Sequence, residues 1–297
     1  MKRTTLKAFY LFSTITAFIF MFVSLGYSQE NQKDKLLKDL KSQENEVRMK
    51  AVKGLSALGK DSVDPLIGIL KNQDEEPEIR IEAVKGLSLI EDQKALEAIA
   101  AVAKDEDDEE EVRLEAIKAL GDRKDAQAVN VLAAVFKNED EDTELRIEAG
   151  ESLGKIGDTQ SIKSIIVVLQ NDEDDDEVRG VASMILARRR ESSAVEPLIK
   201  IVKNEDEYDD MRESAVKALG RMEERKAVEP LIDVLKEEDI VDTLKDETVT
   251  ALKTITGQSF GANVAEWEKW WKENKGKPVS SQEREKTKAE KPWWKFW

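Results

Sequence analysis

From about residue 33 onward, short apolar runs come in pairs, and the second run of each pair repeats one phrase. It reads Val47-Arg-Met-Lys-Ala-Val52, then Ile79-Arg-Ile-Glu-Ala-Val84, Val112-Arg-Leu-Glu-Ala-Ile117 and Leu145-Arg-Ile-Glu-Ala149. Val178-Arg179, Met211-Arg-Glu-Ser-Ala-Val216 and a weaker Leu244-Lys245 continue the series. The first step, from 47 to 79, is 32 residues and each of the next five is 33. A fixed period of this size is the mark of stacked helical hairpins, each burying its apolar face on its neighbours. Within one unit, a stretch such as residues 227–235 supplies a first helix and an acidic loop follows. The repeated phrase then supplies a second helix whose apolar positions fall on one face. The pattern predicts an all-α chain, a right-handed α-solenoid of antiparallel hairpins with a period of about 33 residues, six hairpins and a partial seventh.

Two motifs sharpen that reading. Val-Arg-x-x-Ala-Val-x-Ala-Leu-Gly stands at residues 211–220, with Met in the first place, and Ala-Val-Glu-Pro-Leu-Ile stands at 194–199 and 227–232. These resemble the HEAT repeats, specifically the short HEAT-like class first associated with phycobilisome bilin lyases, over about residues 33–260. The ankyrin signature Thr-Pro-Leu-His, which shares the period, is missing. The resemblance implies a binding scaffold in most members, and in some an accessory role in bilin attachment or beside other enzymes. A fold does not by itself carry a function.

Composition narrows the chemistry. The chain has 297 residues, 47 Lys+Arg against 63 Asp+Glu for a formal charge of −16, and neither histidine nor cysteine. The two zeros exclude Ser-His-Asp and Cys-His catalysis, His or thiolate metal sites and disulfides. Charged residues make up 37% and aromatics 6%, which suits helices with wide solvated faces. No cofactor, no resident metal and no catalytic residue is expected, and the acidic balance points away from nucleic acid.

Both ends differ from the repeats. Lys2, Arg3 and Lys7 precede an uncharged stretch over residues 8–28, with an apolar run at 17–25 and small residues Gly26 and Ser28 ahead of Gln29. This reads as a signal peptide, 1–28, and places the protein in the periplasm, the cell envelope or the medium. The rival is an uncleaved anchor, since the stretch approaches the roughly 20 residues that span a bilayer, although Ser13, Thr14 and Thr16 weaken it. Residues 29–262 form the repeat region. Residues 263–273, Asn263-Val-Ala-Glu-Trp-Glu-Lys-Trp-Trp271 and two more, read as a Trp-rich capping helix that Asn263 starts and that covers the last hairpin's open face. Residues 274–297 read as a basic, disordered tail closing on Lys291-Pro-Trp-Trp-Lys-Phe-Trp297. Trp293, Trp294, Phe296 and Trp297, with two lysines, suit the membrane interface, a docking site on another protein, or the chain's own acidic loops.

Three features inside the repeats bear on binding. Arg48, Arg80, Arg113, Arg146, Arg179 and Arg212, closed by Lys245, form a ladder whose guanidiniums are expected to tie neighbouring repeats to carboxylates or helix-end carbonyls. The loops at 74–78, 105–111, 139–144, 172–177 and 205–210 hold 27 of the 63 acids, more than helix capping requires, and make an edge suited to a basic partner. Asp172-x-Asp174-x-Asp176 begins like a calcium loop, but Glu177 occupies the place of the necessary glycine. In the fifth repeat, Val181 and Met184 replace the charged residues found at the same positions elsewhere, and Arg188, Arg189 and Arg190 follow. These five are the candidate partner-binding residues.

The reading that results is a non-enzymatic exported scaffold that binds a protein partner, a basic one if it meets the acidic edge, along an extended surface. The alternatives are a membrane-surface adaptor held by the Trp-rich tail and a bilin-lyase-like enzyme subunit or chaperone.

Overall fold

The computed structural model describes residues 30–277. Among these residues every regular element is helical. The leader at 1–28 and the aromatic tail end, with Trp293, Trp294, Phe296 and Trp297, lie outside the described residues.

The chain divides into two compact units, the first ending at Arg123 and the second beginning at Lys124. The first holds three hairpins: α1 (30–39) with α2 (Asn45–Ser56), α3 (Val63–Leu70) with α4 (Pro77–Ser88), and α5 (Gln93–Lys104) with α6 (Glu110–Arg123). The second holds α7 (Val129–Lys137) with α8 (Thr143–Ile156), α9 (Thr159–Leu169) with α10 (Asp176–Arg189), α11 (Val195–Val202) with α12 (Asp209–Met222), α13 (Val228–Val234) with α14 (Asp242–Thr256), and then α15 (Val264–Asn274). The hairpin of α13 and α14 is complete, where the weak Leu244-Lys245 match suggested a partial one. Lys245 replaces the arginine, but the apolar face of Leu244, Ala251, Leu252 and Ile255 is fully buried.

Second helices stack on second helices, α2 on α4 on α6 in one unit and α8 on α10 on α12 on α14 in the other, and each packs on its own first helix. The repeated alanine makes this close approach possible. Ala51, Ala83, Ala116, Ala149, Ala182 and Ala215 are all buried, and Thr248 stands in their place in the last hairpin. Its hydroxyl donates to the Leu244 carbonyl at 2.7 Å, which removes the cost of burying it. Gly154 serves the same end, because a Cβ there would lie 2.6 Å from a methyl of Ile185 on α10. Around these small residues sit Leu, Ile and Val, each worth about 1.5–3 kcal/mol when fully buried.

The Glu-Pro motif also has a local reason. Pro65, Pro197 and Pro230 each lie third in a first helix, where a backbone N–H would have no helical acceptor. Four first helices, α3, α7, α11 and α13, are led in by a turn of 310 helix that positions them after the preceding hairpin.

Candidate partner-binding surface

The arginine ladder is the frame on which any surface is built. Arg80 on α4 is fully buried, and its Nε donates to the carbonyl of Leu70 at the end of α3 at 3.0 Å. Its two terminal nitrogens donate to Asp108 at 2.6 Å each, and one also reaches Glu109. One guanidinium therefore joins the end of its own first helix to the loop of the next hairpin. Arg146 repeats this with the Phe136 carbonyl at 3.2 Å and Asp174 at 2.7 Å, and Arg212 with the Val202 carbonyl at 3.1 Å and Glu237 at 2.5 Å. Arg48 holds the Ser42 carbonyl and Glu75, both at 2.8 Å. Arg179 takes Glu207 at 2.6 and 2.9 Å, but its buried Nε has no acceptor. Arg113 is buried at the same register on α6.

The acceptors are the residues that reading the chain passed over. Glu75, Asp108 and Asp174 lie buried, and the Glu207 side chain nearly so, in loops whose other acids are mostly exposed. Burial opposes ionisation of Asp108, but hydrogen bonds from Arg80 and from the Glu109 amide outweigh it and hold the carboxyl below its ordinary value. Glu207 is likewise depressed, first by its hydrogen bond with Arg179. The surplus of loop acids is thus partly structural. A second repeated device is the turn that opens each loop, where the side chain of Asn72, Asp105, Asn138, Asn171 or Asn204 accepts from the amide two residues on at 3.3–3.4 Å. Asp174 and Asp176 of the calcium-like run are both committed to arginines, Asp174 to Arg146 at 2.7 Å and Asp176 to Arg179 at 3.1 Å.

On α10, Met184 is 44% exposed and Val181 is partly buried one turn before it. The equivalent residues are Glu148 and Glu151 on α8 and Ser214 and Lys217 on α12, so the apolar pair lies between charged or polar rows. The three arginines that follow do not act as one cluster. Arg188 is on the same face and pairs with Glu151. Arg189 turns to α8 and donates to the carbonyls of Gly154 at 2.9 Å and Gly157 at 3.0 Å. Arg123 does the same for the end of α4, donating to the Ile90 carbonyl at 2.7 Å, which marks Arg189 as a helix-end support. Arg190 closes α10 in the left-handed region, φ 52°, and meets Glu223 at 2.8 Å. Beside this face, burial holds the carboxyl of Glu247 on α14 above its ordinary value despite Lys217 and Arg221. Burial together with Arg188 lowers Arg221.

The second unit ends on α15, started by Asn263, whose side chain accepts from the Glu266 amide at 3.3 Å. Trp267 is fully buried, donates from its ring nitrogen to the Gly261 carbonyl at 2.8 Å and meets Phe260 edge to face at 4.8 Å. Arg225 lies over the rings of Trp270 and Trp271 at 5.8 and 5.2 Å. Lys275 reaches Glu229 at 2.5 Å and Lys236 reaches Glu268 at 2.8 Å, so α15 runs antiparallel to α13.

Stacked hairpins, six of the seven carrying an arginine at the same register and five of those arginines buried, define an α-solenoid. The sequence model of the HEAT repeats matches residues 34–111, 105–176 and 162–253. The chain belongs to the HEAT repeat family. Among solved structures it resembles Kap95p in a complex with RanGDP, with TM-score 0.54, 16% identity and coverage of 87% of this chain and 39% of that one. Kap121p bound to Pho4p gives TM-score 0.52, 16% identity and coverage of 84% and 31%. The complex of CpcE and CpcF of phycocyanin lyase from Nostoc sp. PCC7120 gives 0.42, 20% identity and coverage of 80% and 94%. The likeness is one of fold, and this chain spans between 31% and 39% of the length of the two Kap proteins. No curated protein matches the sequence significantly.

Proposed function

We propose that this protein is a non-enzymatic, exported scaffold that holds a protein partner along the exposed face of its second helices, centred on Val181 and Met184 of α10. The observation that carries the reading is the exposed Met184 beside Val181, where neighbouring helices present charged or polar residues. A flexible thioether on a rigid helix suits a contact that must adapt to its partner's shape. The solenoid frame keeps such a face in place, since the clamps consume the buried charges and leave the second-helix surface to vary. The Kap121p chain of similar fold was solved with a protein, Pho4p, bound to it.

The test is a photoreactive amino acid at position 184 of the full chain, with the same probe at Lys118 for comparison. The expected result is an adduct of discrete mass from position 184 in the cell envelope, lost when Val181 becomes Glu while helicity is unchanged. Equal labelling from both positions, or an adduct indifferent to Val181→Glu, overturns the reading. For export, the mature chain should begin at Gln29. A chain that keeps Met1 and sediments with membranes would instead be anchored.

A further inference from the structure

On the loop edge, the residue just before each second helix follows the same register. It is Glu44, Glu76, Asp142 and Asp175 in earlier hairpins, and both aspartates cap their helices with their side chains. In the last two hairpins the register holds Tyr208 and Val241, which make no side-chain cap. Tyr208 is 69% exposed and Val241 38%. The register one residue earlier, where Glu75, Asp108, Asp174 and Glu207 serve as clamps, holds Ile240 in the last hairpin, partly exposed, and Glu237 supplies that clamp instead. Three positions that are acidic in most of the other hairpins therefore hold Tyr, Ile and Val together at the starts of α12 and α14, which pack side by side with this register about 10 Å apart. Around them stand the exposed acids Glu205, Asp206, Asp209, Asp210, Glu238, Asp239 and Asp242.

An apolar spot ringed by acids fits a ligand with aromatic rings and cationic side chains. We propose that the chain's own C-terminal segment, Lys291-Pro-Trp-Trp-Lys-Phe-Trp297, docks on the edge formed by Tyr208, Ile240 and Val241 of the same chain. Its four aromatic rings match the apolar surface and its two lysines match the acids. The tether reaches. Residues 278–290 are 13 in number. A free chain of that length has a typical end-to-end distance of about 20 Å and a limit near 43 Å. The target lies about one helix length away, because α15 ends beside Glu229 at the start of α13 and the edge follows the end of α13. This surface is separate from the Met184 face, so the two proposals stand or fall independently.

Because the chain has no cysteine, single cysteines report proximity without background. In the full chain, Glu238→Cys with Lys295→Cys places one thiol on the edge and one in the tail. Lys226→Cys with Lys295→Cys places the first thiol at the opposite end of the same hairpin, nearer to where the tail starts. The expected result under mild oxidation is an intramolecular disulfide that forms roughly 10-fold faster in the first pair than in the second. That advantage should shrink at high salt and vanish when Tyr208 and Val241 are both changed to Ala. Equal rates in the two pairs overturn the proposal. So does a disulfide formed only between chains, which would assign the tail to a second copy.

Discussion

Replacing Asp108 with alanine should be among the most damaging single changes in the first unit. The side chains of Arg80 and Asp108 are 0% and 2% exposed, and the fork between them is bidentate at 2.6 Å. Removing the carboxylate leaves a guanidinium that water does not reach, with Glu109 as its remaining carboxylate partner. Breaking a buried pair in this way costs about 3–5 kcal/mol. If opening of the unit is the route to exchange, amide protection in α3, α4 and α5 should fall by roughly 200- to 4000-fold. The assay is native-state hydrogen exchange on the full chain, with urea unfolding followed by circular dichroism alongside. Asp107→Ala, one residue away and exposed, is the control and should change stability by less than about 0.5 kcal/mol. Replacing both partners at once, Arg80→Met with Asp108→Leu, should recover much of the loss, because two apolar side chains leave no charge behind. The reasoning is refuted if Asp108→Ala and Asp107→Ala cost the same, or if the double replacement is worse than Asp108→Ala alone.

Two further predictions concern pH and the cap. Asp108 and Glu207 have folded pKa values below their ordinary 3.8 and 4.5, so their contribution is full above those values and is lost as pH falls through the folded ones. Glu247 has the opposite sign: its folded pKa is raised from 4.5, so it opposes folding increasingly as pH rises through that raised value. Glu247→Gln should therefore raise the melting temperature at pH 7 and do so less at pH 4.5, as thermal melts at the two pH values will test. Trp267→Ala should cost about 3–5 kcal/mol, since it empties a fully buried indole site and frees the Gly261 carbonyl. The loss should be confined to α13–α15 in hydrogen exchange, and uniform loss through α7–α10 would contradict a capping role.

The hairpins could be read from the chain because helix period and repeat period agree, and because Ala, Arg and the apolar residues return in fixed register. The arginines could be seen for the same reason. Their acceptors could not be picked out residue by residue, because one buried acid per loop looks like its exposed neighbours in composition. The signal was the spacing of Glu75, Asp108, Asp174 and Glu207 by one or two 33-residue periods, which only becomes informative once the arginine 27 or 28 residues upstream is placed against it. Arg188, Arg189 and Arg190 looked like one basic cluster because they are consecutive, but consecutive helical residues point about 100° apart. One reaches Glu151, one the end of α8 and one Glu223. Tyr208 and Val241 were passed over because each is unremarkable alone, and their meaning depends on the acids that stand at that register elsewhere.

The clamps also give the array a direction. In each of them the cation belongs to the earlier hairpin and the acid to the later one, 25–28 residues downstream. A ribosome adding about 5–20 residues per second delivers the acid roughly 1–6 s after its arginine. A nascent hairpin therefore waits with an unmatched guanidinium until its successor emerges. Within a unit, trimming from the front strips away arginines and leaves carboxylates that can turn to water, whereas trimming from the back strands an arginine in the interior of the last remaining hairpin. Growth by adding repeats at the tail end would need each newcomer to bring an acid in that loop.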